Sequence, residues 1–272
     1  MNVSIDSLNS DQWLYVWVFL SALFGLAIGS FLNVVIWRVP LNMSLIKGGS
    51  ICPKCRKEIS AKENIPLFSY IFLRGKCKNC KAKISKQYPA VELLTSIVWV
   101  ITTWRIGLHL YTFGFLIFFT GLIALSTIDI KTKLLPNKIV YPTGIIFVVI
   151  ISSWAIATNN IEILRNCLIV GIIYFLFLFA IWFASNGKAM GFGDVRLSFF
   201  LGFAMGFYGF MISYAGMLLS FILGAVIGIF IATLTKSGRK MKIPFGPFLA
   251  SGTIIVIWCA SMLSHIIELP NA

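Results

Sequence analysis

The chain has 272 residues, of which 58% are hydrophobic and only 12% charged, with a mean hydropathy of +0.91. A soluble domain carries roughly 25% charged residues, so the composition excludes a soluble globular protein and predicts an all-α polytopic membrane protein. The formal net charge of +14 would suggest nucleic acid as a partner in a soluble chain; here the basic bias of membrane loops accounts for it, and no nucleic acid is expected.

The N-terminal stretch MNVSIDSLNSDQWLYVW has no basic residue ahead of its apolar run. It therefore lacks the n-region of a signal peptide, and the first apolar run, at about 13–37, reads as a retained transmembrane helix. Residues 1–37 form a tail and first helix. Residues 38–89 then make the one extended polar module, with twelve Lys and Arg.

Inside that module lie CPKC (Cys52, Cys55) and CKNC (Cys77, Cys80), separated by 21 residues. Two Cys-x-x-Cys knuckles at such spacing each supply two thiolates to one tetrahedral zinc ion. Two disulfides are the competing arrangement, but the loop is assigned below to the reducing cytosol, where disulfides rarely persist. A closed four-thiolate site has no open coordination position, so its expected role is structural. Cys167 and Cys259 stand alone in apolar runs and read as packing residues.

The remaining chain, 90–272, divides into seven further apolar stretches. The run 90–128 breaks near Arg105–His109, 139–184 breaks at TNNIEILR, and 195–234 is long enough for two spans with a turn near Tyr208–Gly209. A last helix is expected at about 244–267. The total is about eight transmembrane helices, with the four-cysteine zinc-binding loop between helices 1 and 2.

Basic residues fix the orientation. They cluster in 38–89, in Lys131, Lys133 and Lys138, in Lys188 and Arg196, and in Lys236, Arg239, Lys240 and Lys242; only Arg105 and Arg165 fall elsewhere. Short basic loops stay in the cytosol, so successive clusters are separated by an even number of crossings. Both termini then lie outside, and the two remaining arginines lie in outer loops.

Among nine acidic residues, Asp6 and Asp11 fall in the outer tail, Glu58 and Glu63 in the cysteine loop, and Glu162 and Glu268 on the outer side. Glu92, Asp129 and Asp194 are left at the inner membrane surface. Asp129 ends the third helix and Asp194 opens the sixth, in KAMGFGDVRLSFFLG, so the two sit at similar depth. Two carboxylates beside a low-dielectric wall share a proton and titrate in coupled steps. Such a pair suits peptide hydrolysis: one partner takes a proton from water while the other polarises the carbonyl.

Gly191 and Gly193 would admit an unusual φ or the close approach of another backbone. The plainer account is that Asp194 caps its helix and Asp129 pairs with Lys131 or Lys133. Asn33 reads as a hydrogen bond between helices, Glu92 as a helix-start charge or a binding residue, and Pro244–Pro247 as an entry turn walling the site. His109 and His265 lie on the outer side, away from the two aspartates.

In order along the chain, GSFLNVVIWRVP, CPKC, NIPLFSYIFLRGKCKNC, KQYPAVELLTS, DIKTKLLPN, MGFGDVRL and IPFGPFLASG together resemble the type IV prepilin peptidases, membrane aspartic proteases with a Gly-x-Gly-Asp motif. DIKTKLLPN places Asp129 seven residues before Pro136, as in that family's pattern. The resemblance implies removal of a basic leader from prepilins or pseudopilins at the cytosolic face of the bacterial inner membrane, with Asp129 and Asp194 as catalytic aspartates and 90–272 as a peptidase core. It also implies N-methylation of the new N-terminus with S-adenosylmethionine; Gly75 and Lys76 match positions associated with that step, and Glu92 is a further candidate. Arg196 departs from the family's usual Lys and keeps the charge without the ability to deprotonate. A proton-coupled transporter using the aspartates as a relay, and a non-catalytic membrane scaffold, are the alternative classes.

Overall fold

The computed structural model describes residues 11–45, 49–235 and 244–266. Asp6, Lys47, Lys236, Arg239, Lys240, Lys242 and Glu268 lie outside these residues. The described long helices are α1 (Asp11–Arg38), α2 (Gln87–Ile106), α3 (Leu110–Thr132), α4 (Asn137–Ala157), α5 (Ile161–Ala184), α6 (Phe192–Gly206), α7 (Phe210–Thr235) and α8 (Gly246–Ile266). Each apolar stretch of the sequence is a helix, and the breaks fall at Gly107, Thr158 and Phe207, close to the expected turns.

Five of them, α1, α3, α4, α5 and α7, are long and apolar enough to cross a membrane. Among the described residues the extended elements are all helices, and the fold is that of a multi-pass membrane protein. With 15 residues and a rise of 1.5 Å per residue, α6 extends about 22 Å, short of the roughly 30 Å hydrocarbon layer.

The structure divides into two compact units, Met1–Leu108 and His109–Ala272. In the first, α1 packs on α2 at close range. A Cβ on Gly25 would lie 2.6 Å from Ser96 Cα, and one on Gly29 would lie 2.7 Å from Glu92 Cα. The two glycines are four apart in GLAIG, a Gly-x-x-x-Gly spacing that lets helix backbones approach. Asn33 follows one turn later. Its Nδ2 donates to the Tyr88 carbonyl at 3.1 Å and to the Gly29 carbonyl at 3.3 Å, as expected of a buried amide joining two helices.

The second unit is built on aromatic packing. Phe115, Phe118, Phe119, Phe147 and Phe203 are almost wholly buried, and Phe118 stacks on Phe147 with centroids 4.8 Å apart. Along α6, a Cβ at Gly202 would meet the Val170 carbonyl at 2.8 Å, and one at Gly206 would meet Cys167 Cα at 2.7 Å. That contact seats α6 against α5. Apart from its first turn, α6 is mostly buried protein interior, which makes it the rigid element from which Asp194 projects.

Candidate active site

Asp129 lies three residues before the end of α3. Lys133 terminates the helix in the left-handed conformation, φ 56°, and its N–H returns to the Asp129 carbonyl at 2.8 Å. The chain then runs through Leu134, Leu135 and Pro136 into α4. The Asp129 side chain is 5% exposed. Its Oδ2 accepts the backbone N–H of Gly246, the first residue of α8, at 2.9 Å. Lys131 and Lys133 are both exposed and make no ion pair with it, so the pairing considered from sequence is absent.

Asp194 is the third residue of α6 and is 7% exposed. The N-cap position of this helix is Gly191, and no side chain makes the capping hydrogen bond. Asp194 is thus not a side-chain N-cap. Its Oδ1 is buried with no hydrogen-bond partner among the described residues, while the Gly191 backbone N–H acts on the carboxylate. The negative charge of Asp129 also reaches Asp194, so the two sequence-distant aspartates share one electrostatic environment.

Leu135 sits between their neighbours. A Cβ on Gly193 would lie 2.9 Å from Leu135 Cβ, and a Cβ on Gly246 would lie 3.3 Å from Leu135 Cδ2. These two glycines therefore serve close approach. Gly191 has an ordinary φ of −74°, and the unusual-φ option is not used. Neither Leu135 nor Gly246 stands out in the sequence, although both lie inside the quoted motifs DIKTKLLPN and IPFGPFLASG. The segment Pro244–Pro247 reaches the site through Gly246.

Arg196 faces elsewhere. Its guanidinium donates to Asn137 Oδ1 and lies over the Phe192 ring, 4.7 Å from the centroid. A proton relay near the bilayer midplane would call for carboxylates in mid-helix. Both aspartates are at helix ends, which leaves the transporter alternative without support.

In the first unit, Cys52, Cys55, Cys77 and Cys80 bring four Sγ atoms within 4.8 Å of one another. Tetrahedral zinc with bonds of about 2.3 Å needs sulfurs about 3.8 Å apart, and Cys52 and Cys80 are separated by 3.9 Å. All four are free thiols, so the disulfide arrangement is absent and the cluster is able to hold a metal ion.

The two knuckles are copies. Cys52 N–H donates to the Lys57 carbonyl and Arg56 N–H returns to that of Cys52; likewise Cys77 N–H donates to Ala82 and Lys81 N–H returns to Cys77. Arg56 and Lys81 both take φ of 57°. The N–H groups of Cys55 and Lys54 pull the Cys52 thiol down to about 6. At Cys80 the Ala82 N–H acts downward, but burial and the neighbouring thiols outweigh it and push the group up to about 11. A divalent cation would relieve that crowding by displacing the protons.

Gly75 opens the second knuckle with φ of 66°, where a Cβ would also meet the Tyr70 ring at 3.0 Å. Its carbonyl accepts Ile84 N–H, and Lys76 pairs with Lys83 in an isolated bridge. Glu92, 7% exposed on α2, accepts the Leu67 N–H at 2.8 Å. Leu67 has φ of 57°, a strained value for a non-glycine residue. Glu92 therefore holds the turn between the knuckles onto the helix pair.

The family description "Bacterial Peptidase A24 N-terminal domain" matches residues 23–106, and "Type IV leader peptidase family" matches residues 116–232, which include both aspartates. Two relatives called prepilin leader peptidase/N-methyltransferase are each 34% identical. The one from Stutzerimonas stutzeri is matched over 86% of this chain and 88% of its own length. The one from Pseudomonas aeruginosa is matched over 89% and 90%.

The chain belongs to the type IV leader peptidase family.

A further relative agrees: the Bacillus subtilis prepilin leader peptidase/N-methyltransferase is 32% identical over 91% of this chain and 96% of its own length. No solved structure matches. Within this leader peptidase chain, the family-matched segment 116–232 supplies Asp129, Leu135 and Asp194, whereas Gly246 comes from beyond it.

Proposed function

We propose that Asp129 and Asp194 are the catalytic pair of a membrane aspartic endopeptidase that removes the basic leader from type IV prepilins or pseudopilins. The observation that carries the assignment is the convergence of two buried carboxylates, from the end of α3 and the start of α6, around Leu135. The pair holds a single proton between its members. The ionised partner takes a proton from water, the water oxygen attacks the scissile carbonyl, and the protonated partner hydrogen-bonds the developing oxyanion. Gly193 supports the site by keeping the start of α6 free of a side chain that would separate it from Leu135, and Gly191, the N-cap position, leaves room beside the Asp194 carboxylate.

On this reading α1–α8 are about eight transmembrane helices of the bacterial inner membrane, with both termini outside and the active site at the cytosolic face. The short α6 is enclosed by protein, so that its turn to α7 can lie within the hydrocarbon layer. Residues 38–89 are the cytosolic metal-binding module and 90–272 the peptidase core. The four cysteines hold structural zinc, which organises the loop and takes no part in hydrolysis. Methylation of the new N-terminal amine would follow, with S-adenosylmethionine supplying the methyl group in exchange for an amine proton. Gly75, Lys76 and Glu92 are the candidates for that step, and the knuckle geometry supports a role in shaping the loop.

The deciding experiment mixes the purified protein with its own organism's prepilin in lipid. Asp129→Asn and Asp194→Asn are each expected to abolish leader removal while the protein stays folded. Full cleavage by either variant overturns the pair. Mass spectrometry of the mature product, with and without S-adenosylmethionine, tests methylation separately.

A further inference from the structure

α6 carries two chemically different faces. At about 100° per residue, Asp194, Leu201 and Met205 share one side, and all three are buried. Arg196, Phe199 and Phe200 lie on the opposite side. There they line a groove of about 270 Å³ together with Tyr141 of α4 and Phe175 of α5.

Arg196 stands at the α6 N-terminal end of this groove. One of its terminal nitrogens donates to Asn137, and its plane covers Phe192. Its Nε is buried with no hydrogen-bond partner among the described residues, and no described carboxylate forms an ion pair with it. A guanidinium presents five N–H donors in a fixed fork, suited to two oxygens of a phosphate. A free anion would meet that charge but leave the groove-facing surfaces of Tyr141, Phe175 and Phe199, none of them fully buried, uncovered. A ligand matching both parts carries a phosphate and a hydrocarbon chain.

We propose that the groove binds one anionic phospholipid, its phosphate on Arg196 and an acyl chain along Phe199, Phe200, Phe175 and Tyr141. The inference rests on insertion of this chain in a membrane and is independent of the peptidase chemistry. A basic leader peptide is disfavoured there because Arg196 has the same sign of charge, and the groove lies on the side of α6 away from Asp194.

The test uses the full chain in zwitterionic nanodiscs and neutral detergent. Native mass spectrometry follows titration with phosphatidylglycerol, with phosphatidylcholine, and with inorganic phosphate as competitor. Loss of a charge-assisted contact predicts that Arg196→Gln weakens phosphatidylglycerol binding roughly tenfold or more, whereas Arg165→Gln leaves it unchanged. In the unaltered protein, phosphatidylglycerol bearing a photoreactive acyl chain is expected to label the segments holding Tyr141, Phe175 and Phe199, with competition by unlabelled phosphatidylglycerol only. This second measurement holds if Arg196→Gln fails to fold. Unchanged lipid binding in a folded Arg196→Gln protein overturns the proposal. So does equal competition by inorganic phosphate, which would mark a free-anion site, or displacement of the label by a prepilin peptide, which would mark a peptide site.

Discussion

The backbone N–H of Gly246 hydrogen-bonds Oδ2 of Asp129 at 2.9 Å, joining residues 117 apart in sequence. The start of α8 is thereby a direct partner of a candidate catalytic carboxylate. The same closeness leaves no room for a side chain, since a Cβ on Gly246 would lie 2.9 Å from that oxygen.

Gly246→Ala should therefore move the Asp129 carboxylate or withdraw its donor. A displacement near 1 Å costs on the order of 100-fold in rate. Leader cleavage is expected to fall by roughly that factor through kcat, with KM little changed and helical content retained. Steady-state kinetics on purified substrate, with circular dichroism of the variant, check it. Wild-type kcat would remove Gly246 from the site.

Leu135 separates the two glycine-bearing segments at the site. Leu135→Ala opens a gap between them and is expected to destabilise the second unit by about 2 kcal/mol, with cleavage reduced as the carboxylates lose their shared support. Leu135→Met conserves volume and should recover most of both losses. Thermal unfolding in detergent, measured beside the cleavage assay, reads the two effects together.

Metal binding in the cysteine cluster should depend steeply on pH. The lowered Cys52 group is a thiolate above about 6 and protonates as pH falls through that value. Cys80, raised to about 11, carries a proton at neutral pH that the metal must displace. Each displaced proton makes affinity rise roughly tenfold per pH unit. Zinc competition titrations at about pH 6 and about pH 8 are expected to show much tighter binding at the higher pH, and Cys52→Ser should lower zinc content per chain. A pH-independent affinity, or unaltered zinc in Cys52→Ser, would count against the four-thiolate site.

Gly29 lies where α1 crosses α2. Gly29→Val would place three carbons against the Glu92 backbone, already 2.7 Å from an added Cβ. Overpacking of this kind costs about 1–3 kcal/mol. The expected result is a lowered unfolding temperature together with faster proteolysis near Leu67, because Glu92 anchors that turn. Gly49→Val is the control, as nothing lies within 4 Å of a Cβ at Gly49.

The helices are readable from sequence because span length and loop charge impose strong patterns, and even the turn at Tyr208–Gly209 falls within a few residues of its expected place. Asp129 and Asp194 stand out because carboxylates are rare beside apolar runs. The Gly246 contact does not, since a backbone N–H carries no side-chain signature and its partner is fixed only by tertiary packing. Leu135 is one leucine among many. Gly25 and Gly29 do leave a readable signal in the Gly-x-x-x-Gly spacing of α1. For Gly193 the sequence raises the question of what approaches it, and only the packing supplies this chain's own Leu135 as the neighbour.

The duplicated knuckles have a consequence for how the polar module orders itself. Each knuckle closes its own hydrogen bonds within about ten residues, 50–59 and 75–84, so each half is local in sequence. A metal ion held by the four cysteines would add the long-range closure, drawing together the ends of the intervening stretch, whose middle is tethered by Glu92 at Leu67. One tether would be inorganic and the other belongs to α2, yet both restrain the same chain entropy. Chelation and loss of the Glu92 carboxylate should consequently be non-additive: once one tether is gone, removing the other has a smaller effect on the same stretch of loop.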